Sequence, residues 1–413
     1  MGLDGPPIAK TIPLKVPLGA GLEQCIGGNK MDFTLNIPKI IFKSGALDEL
    51  GPRVKDFGKK FLVVTDRVFR DVGVLDKVDK ELGEYGIETV YFLDVRGEPD
   101  VEHIDNAHAL ALAEGCDAVL SMGGGSLIDI GKATAALITN GGKIKDYLEY
   151  VGTGAKVDVE PVPFIALPTT AGTGSEVTKL AVVGSKKENF KRSIRDDKLL
   201  ANLVMIDPAL TLSMPKKVTA SSGIDAMTHS MEAYTTVKNP TPFTRAIAFE
   251  GVKLAGKYLR RAYQTPDDLE AREGMSLAAL YGGISFSNSG LGAAHGLGMA
   301  MNIRYPVSHG ECVGIFLPYV MELNAERFPG LYDEVGEAFT GKRYSKKGEG
   351  TKAALEYIKE LNAAIGIPAD LKQWQVTEEM AAEMGAGCYG TSMSGNPVQL
   401  EADEWTALYN RLR

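Results

Sequence analysis

The sequence predicts an α/β nucleotide-type domain followed by an all-helical domain, and three observations carry the prediction. At 413 residues the chain is long enough for two or three domains with full hydrophobic cores. From Phe61 onward, short apolar runs alternate with helical patterns, the signature of βαβ units and a parallel sheet. After residues 206–215 (IDPALTLSMP) the strand signals fade, and from Lys217 helical periodicity dominates. The boundary therefore falls near Leu210, giving domains at 31–210 and 211–413 with a ligand cleft expected between them. Residues 1–30, rich in Gly and Pro, read as a disordered arm or a start-site artefact with no catalytic role.

In the first domain the apolar run 61–65 (FLVVT) predicts a strand, 74–86 (VLDKVDKELGEYG) a helix, 89–95 (TVYFLDV) a strand, and His103 to Glu114 a helix. A buried strand at 118–122 (AVLSM) then runs into GGGSLIDIGKATAALIT (123–139), and another at 163–168 (PFIALP) runs into TTAGTGSEVT (169–178). Gly123, Gly124 and Gly125 let the backbone approach a pyrophosphate, and the following helix would present its N-terminus to that anion. Ser126 is the expected N-cap, with Asp129 three residues on in a capping-box spacing that suggests a structural carboxylate. GGGS is not the GxGxxG fingerprint, and alone it fits an ordinary strand-to-helix turn equally well.

The second loop adds hydroxyls from Thr169, Thr170, Thr173 and Ser175, while Gly172 and Gly174 free the backbone at the end of another strand. Asp66, just after FLVVT, is placed to accept hydrogen bonds from an adenosine ribose and to repel a 2′-phosphate, which favours NAD over NADP; a plain turn role fits the spacing as well. In the second domain the patterns at 246–263 and 270–286 read as long helices.

Composition excludes several classes. Forty-five Lys and Arg against 53 Asp and Glu give a net charge of −8, so no general cationic field exists to draw nucleic acid or anionic lipid. No run of about 18 uncharged apolar residues marks a membrane span. Cys25, Cys116, Cys312 and Cys388 lie far apart without a CxxC pair, which suggests reduced thiols and a cytoplasmic setting.

Histidine is scarce, with five copies, and His229, His295 and His309 fall in the helical half. In GIDAMTHSMEAY (223–234) a helix puts Asp225 and His229 at i, i+4 on one face, where both can bind a single cation; such pairs also arise as surface polar contacts. His295 sits among small residues in GLGAAHGLGMA, where alone it would read as a satisfied core histidine. His309 follows fourteen residues later, past a proline turn that can fold the chain back. His103 and His108, on the other domain's predicted surface helix, read as solvated.

Four motifs in order, GGGSxxDxxK (123–132), PTTAGTGSEVT (168–178), GIDAMTHSMEAY (223–234) and SNSGLGAAHGLG (287–298), resemble the iron-containing, group III alcohol dehydrogenases, and the likeness runs from about Met31 to the GNP at 395–397. The resemblance implies the dehydroquinate synthase-like fold of that family, with an N-terminal NAD(P)-binding α/β domain and a helical domain holding one divalent metal in the cleft. It implies Asp225, His229, His295 and His309 as metal ligands, and Asp66, Gly124, Gly125, Ser126, Thr169, Thr170, Thr173, Ser175 and Lys191 around the cofactor. It also implies self-association as a dimer or larger homo-oligomer. Lys191 alone, in KKENFKR, reads as a solvated charge. One departure stands out: Met299 replaces the second histidine that many members carry four residues after the third ligand, and a thioether cannot relay a proton. Pro306 and Ser308 also replace usual residues before the last ligand.

The expected activity is hydride transfer between a primary alcohol or aldehyde and NAD(H), with aldehyde reduction a candidate for the physiological direction. One carboxylate and three imidazoles suit Fe(II), the favoured ion, or Zn(II), acting as the Lewis acid. Rival readings are a glycerol-type polyol dehydrogenase, a maleylacetate reductase-like enzyme, a lyase using NAD transiently, and a non-catalytic NAD-binding protein, which the four filled ligand positions disfavour. For the substrate pocket, Phe286, Leu180 and Lys179 are candidates, and Arg304 is a candidate for favouring an acidic tail.

Overall fold

Uncharged, largely aliphatic runs form the central strands of the sheet, as their chemistry favours on a pleated surface buried on both sides. The computed structural model describes residues 33–413 apart from 96, 186, 189 and 389–391; the N-terminal arm and Cys25 lie outside the described residues. β1 (Ile40–Phe42), β2 (Lys60–Thr65), β3 (Glu88–Phe92), β4 (Ala118–Gly123), β5 (Phe164–Pro168) and β8 (Leu203–Ile206) make one parallel sheet in the order β1-β8-β5-β4-β2-β3. β6 (Leu180–Ser185) and β7 (Phe190–Arg195) form a separate antiparallel hairpin.

Alternate strand residues serve opposite faces. Phe61 and Val63 join Leu120, Ile165 and Met205 in one core, while Leu62 and Val64 join Val119, Ala166 and Val204 in the other. Among helices of eight residues or more, α1 (Val74–Gly83) covers the first face with Leu75, Val78 and Leu82. α2 (Val101–Glu114) and α3 (Gly125–Asn140) cover the second, with Ile104, Ala107, Ala111 and Ile128. The reading of both α2 histidines as solvated needs correction. His103 Nδ1 accepts from the backbone N–H of Asp100 at 3.2 Å, completing a capping box, and His108 is buried, which pushes its pKa below the ordinary value.

The sheet reverses its direction of growth between β2 and β4: β3 is added on one side of β2, and β4, β5 and β8 on the other. Loops leaving β2 and β4 therefore diverge and open a crevice at the carboxyl ends of the strands, where open α/β sheets bind dinucleotides.

The helical region comprises α4 (Lys216–Thr235), α5 (Pro242–Gln264), α6 (Leu269–Asn288), α7 (Ala293–Arg304), α8 (His309–Arg327), α9 (Asp333–Thr340), α10 (Glu349–Ile365), α11 (Glu378–Ala386) and α12 (Ala402–Leu412). α4, α5 and α6 pack around Ile224, Met227, Val252, Leu259 and Met275. Leu280 and Ile284 of α6 also enter the sheet-side core, so the two regions share an apolar seam. Gly174, at φ +63° in the loop after β5, lies against Gly283 of α6: a Cβ on Gly174 would sit 2.6 Å from the Gly283 Cα. Only glycine allows that backbone-to-backbone approach, which presses the strand-end loop onto the helical domain.

Candidate active site

A cleft of about 470 Å³ opens where the β4 and β5 loops, the β6–β7 hairpin and the helical domain meet. Along α4, Asp225, His229 and Glu232 stand at i, i+4 and i+7, so all three lie on one face. Asp225 and His229 line the cleft, and His295 from α7 and His309 from the first residue of α8 join them. Asp225 Oδ1 is the common centre, at 3.4 Å from His295 Nε2, 3.8 Å from His229 Nε2 and 3.9 Å from His309 Nε2. Ligand atoms of Asp225, His295 and His309 all lie within 4.8 Å of one another; His229 falls outside that tighter set. Its ring is stacked between Phe286, at 4.5 Å between centroids, and His295, at 4.4 Å.

The site passes a direct test of fit for a cation. Asp225 Oδ1 and His295 Nε2 are buried without a hydrogen-bond partner, a costly state unless another group satisfies them. One carboxylate oxygen with three imidazole nitrogens suits Fe(II) or Zn(II). Burial opposes the charge on Asp225, yet the surrounding imidazoles of His229, His309 and His295 outweigh it and hold the carboxyl well below the usual range. Burial pushes His229 down to about 3 and His309 down to about 4, leaving both rings neutral and able to donate a lone pair.

Glu232 was not singled out from the sequence, although its spacing from Asp225 and His229 marks the same helical face. It holds His295 Nδ1 at 2.6 Å and also accepts the backbone N–H groups of Gly292 at 2.9 Å and Ala294 at 2.6 Å. One carboxylate thus caps the start of α7 and turns His295 Nε2 toward the cleft. Asn396, in the GNP segment, accepts from Ala293 N–H at 3.4 Å and exchanges hydrogen bonds with Asn324, fixing the same helix start.

On the sheet side, Gly125, Ser126, Asp129, Thr173, Ser175 and Lys191 line the cleft; Asp66, Gly123, Gly124, Thr169 and Thr170 do not. The N-cap of α3 is Gly124, with no side-chain cap, and Ser126 lies inside the helix, which corrects the N-cap reading. Asp129 makes no capping box either. It is buried, bonded to the Ser175 hydroxyl, and accepts from the Val182 N–H at 2.9 Å. One turn on, Lys132 is buried and donates to the carbonyls of Ser175 at 2.7 Å, Thr178 at 2.9 Å and Leu180 at 2.7 Å, shaping the β5 loop from beneath. Burial pushes its ammonium down to about 8.

Asp66 is exposed at the β2 side of the crevice, where its Oδ1 accepts from the Val68 N–H at 2.9 Å in an Asx turn. Lys191 is not a solvated charge: its Nζ lies 3.1 Å from Glu98 and 3.0 Å from Asn302 of α7, bridging hairpin and helical domain. Glu98 and Asn302 carried no recognisable signal, because their role depends on a hairpin the sequence reading did not contain. Arg304 does not line the cleft; it bonds to the Ala300 carbonyl and pairs with Glu383. Phe286, Leu180, Lys179 and Met299 do line it.

Comparison with known proteins places this geometry in context. Residues 38–208 match the family profile described as iron-containing alcohol dehydrogenase, and 219–412 match the profile of the C-terminal region of Fe-containing alcohol dehydrogenases. The chain is 35% identical over 384 residues to a choline dehydrogenase of Bacillus subtilis, covering 92% of this chain and 94% of that one. It is 35% identical over 347 residues to an NAD-dependent methanol dehydrogenase of Bacillus methanolicus, covering 83% and 89%. A sulfoacetaldehyde reductase from Bifidobacterium kashiwanohense, solved in complex with NAD+, superposes with a TM-score of 0.85 at 29% identity, covering 93% of this chain and 99% of that one.

Proposed function

Because this chain belongs to the iron-containing alcohol dehydrogenase family and is an oxidoreductase acting on CH–OH groups, we propose that it interconverts a primary alcohol and its aldehyde with NAD(H) at the cleft formed by Asp225, His229, His295 and His309. The single observation that carries this reading is the convergence of three imidazoles on an unpartnered, buried Asp225 oxygen in the same cleft as the strand-end loops. A divalent ion held by these four residues, Fe(II) or Zn(II), supplies Lewis acidity toward the substrate oxygen, and NAD(H) supplies or accepts the hydride.

The chain's own residues prepare that chemistry. Glu232 fixes the tautomer and direction of His295, and Phe286 holds the face of His229 and shields it from water. Gly125 and Ser126 open α3 toward the pyrophosphate, with Thr173 and Ser175 facing them, and Gly123, Gly124, Thr169 and Thr170 shape the two loops behind. Asp66 favours NAD over NADP by excluding a 2′-phosphate. Lys191, tied to Glu98 and Asn302, places a cation beside His309. Met299 lines the cleft one helical turn beyond His295 and carries no titrating proton, so proton exchange with the substrate oxygen falls to water or a ribose hydroxyl.

The reading takes 31–210 as the cofactor domain and 211–413 as the metal domain, working as a homo-oligomer in the cytoplasm. The free thiols of Cys116, Cys312 and Cys388 agree with a reducing setting, and among the described residues no helix is long and apolar enough to cross a membrane. Its test is His309→Ala: bound metal and NADH-dependent aldehyde reduction should be lost together while circular dichroism stays unchanged. Full turnover by metal-free protein overturns the reading.

A further inference from the structure

The three relatives named above act, by their names, on a cationic alcohol, a neutral alcohol and an anionic aldehyde, so family membership leaves the charge of the substrate's far end open. The cleft itself speaks to that charge. Four cations line it: Lys179, Lys191, Arg195 and Lys238. Lys179 is neutralised by Asp197 at 2.6 Å, Lys191 by Glu98 at 3.1 Å and Arg195 in part by Glu149 at 3.4 Å. Lys238 forms no ion pair of its own among the described residues; the nearest carboxylate influence on it is Glu149, the one already paired with Arg195, so two cations share a single carboxylate.

Its position is also built rather than incidental. The backbone N–H of Val237 donates to the Gly395 carbonyl at 3.0 Å, and the Thr236 hydroxyl bonds to the carbonyls of Leu291 at 3.3 Å and Gly395 at 3.1 Å. These bonds pin the segment after α4 to Gly395 of the GNP segment and to Leu291 in the loop that leads into His295. The Lys238 stem then lies over Gly290: a Cβ there would sit 3.2 Å from both Cβ and Cδ of Lys238. Arg195 ends β7 on the opposite wall, so the two cations face the cleft from different domains. They lie close enough that Arg195, after burial, is the next largest influence lowering the Lys238 pKa. Two like charges brought together across a cleft without a full complement of carboxylates favour an anion between them.

We propose that Lys238 and Arg195 form a subsite for the anionic end of the substrate, an alcohol or aldehyde whose far end carries a carboxylate or sulfonate. The subsite rests on the alcohol dehydrogenase reading above. It differs in place from the pyrophosphate site, since Gly125 and Ser126 belong to the sheet-side loop whereas Lys238 lies beside Gly290 on the approach to the metal ligands.

The test compares KM for 4-oxobutanoate and for butanal in metal- and NADH-loaded protein, with succinate binding to the NADH-loaded protein followed by calorimetry. The native chain should prefer the acidic aldehyde. Lys238→Met, which keeps the stem over Gly290, and Arg195→Met should each shrink that preference about fivefold. Lys238→Glu should abolish it together with succinate binding, and added salt should narrow it in the native chain. Equal KM values for the two aldehydes in all four proteins, or a Lys238→Met effect confined to the KM for NADH, overturns the subsite. Failure to reduce any aldehyde defeats the reductase reading instead, and succinate calorimetry then still decides whether the anion site exists.

Discussion

On the helical side of the cleft, the groups offered to a ligand are side chains, and His295 and His229 among them are held by other side chains; on the sheet side, the approach is made largely by backbone that small residues leave uncovered. Asp225 and His229 share a helical face, Glu232 turns His295, and Phe286 stacks on His229. Opposite them, Gly125 brings α3 against Thr173, and Lys132 anchors the β5 loop through three carbonyls. A side-chain site needs particular residue types, whereas a backbone site needs mainly room. The two walls should therefore fail independently.

The largest effect follows from breaking each wall in turn. Asp225→Asn keeps the volume but removes the anion that all three imidazoles surround, so metal content and turnover should both fall to background. Gly125→Ala adds a Cβ that would sit 2.6 Å from the Thr173 Oγ1 and 2.8 Å from its Cγ2, forcing the two loops apart. Its KM for NADH should rise about tenfold or more at unchanged metal content. Elemental analysis beside NADH titration reads both. Joint loss of metal and cofactor affinity in the glycine variant would show that the walls form one unit.

The same contrast explains what the sequence disclosed. The grouping of Asp225, His229, His295 and His309 was legible because imidazoles are few, because i, i+4 spacing places two donors on one face, and because the motifs around them resemble those of the family. Glu232 shares that spacing logic, but its work as a cap for Gly292 and Ala294 appears only once α7 is packed against α4. Four strands of the parallel sheet, β2, β3, β4 and β5, were legible from their apolar runs; its edge strand β1, the short β8 and the β6–β7 hairpin were not. The hairpin's strands are only half-buried, and β7 (FKRSIR) carries three basic residues that read as solvent-facing. Without the hairpin, Lys191 looked like an isolated surface charge, and Glu98 and Asn302 had nothing to partner. Ser126 was misplaced by one turn of logic: a glycine N-cap leaves the helix amides free for a ligand, whereas a capping serine would have satisfied one of them.

A smaller effect sharpens the account of the helical wall. Glu232→Gln retains an acceptor for the α7 amides but removes the charge behind His295, and metal affinity should fall about 10- to 100-fold. Burial opposes a proton on His295, but Glu232 and Asp225 together raise it to about 9 in the metal-free protein. An incoming ion must displace that proton, so native metal affinity should climb about tenfold per pH unit until about pH 9. Because this folded-state pKa lies above the ordinary imidazole value, its contribution to metal-free stability is complete below that value and disappears as pH rises through about 9. The melting temperature of metal-free native protein should decline over that window, and in Glu232→Gln the decline should end at lower pH. Coincident curves for the two proteins would deny Glu232 its hold on the ring.

The smallest effect concerns a residue that belongs to the helical wall by position but not by chemistry. Met299 stands four residues after His295 on α7 and lines the cleft, so an imidazole in its place would share the face of the third ligand. The four donors of Asp225, His229, His295 and His309 already surround the ion's place without it, so Met299→His should leave metal content unchanged. If water now carries the proton to the substrate oxygen, a titrating ring at this point offers a second route, and the kcat profile should gain a limb near pH 6.5, about the ordinary histidine pKa. The change in kcat should be only a few-fold, since the native chain already turns over without such a group. An unchanged profile would put position 299 outside the proton path and confine the side-chain wall to Asp225, the three histidines and the groups that hold them.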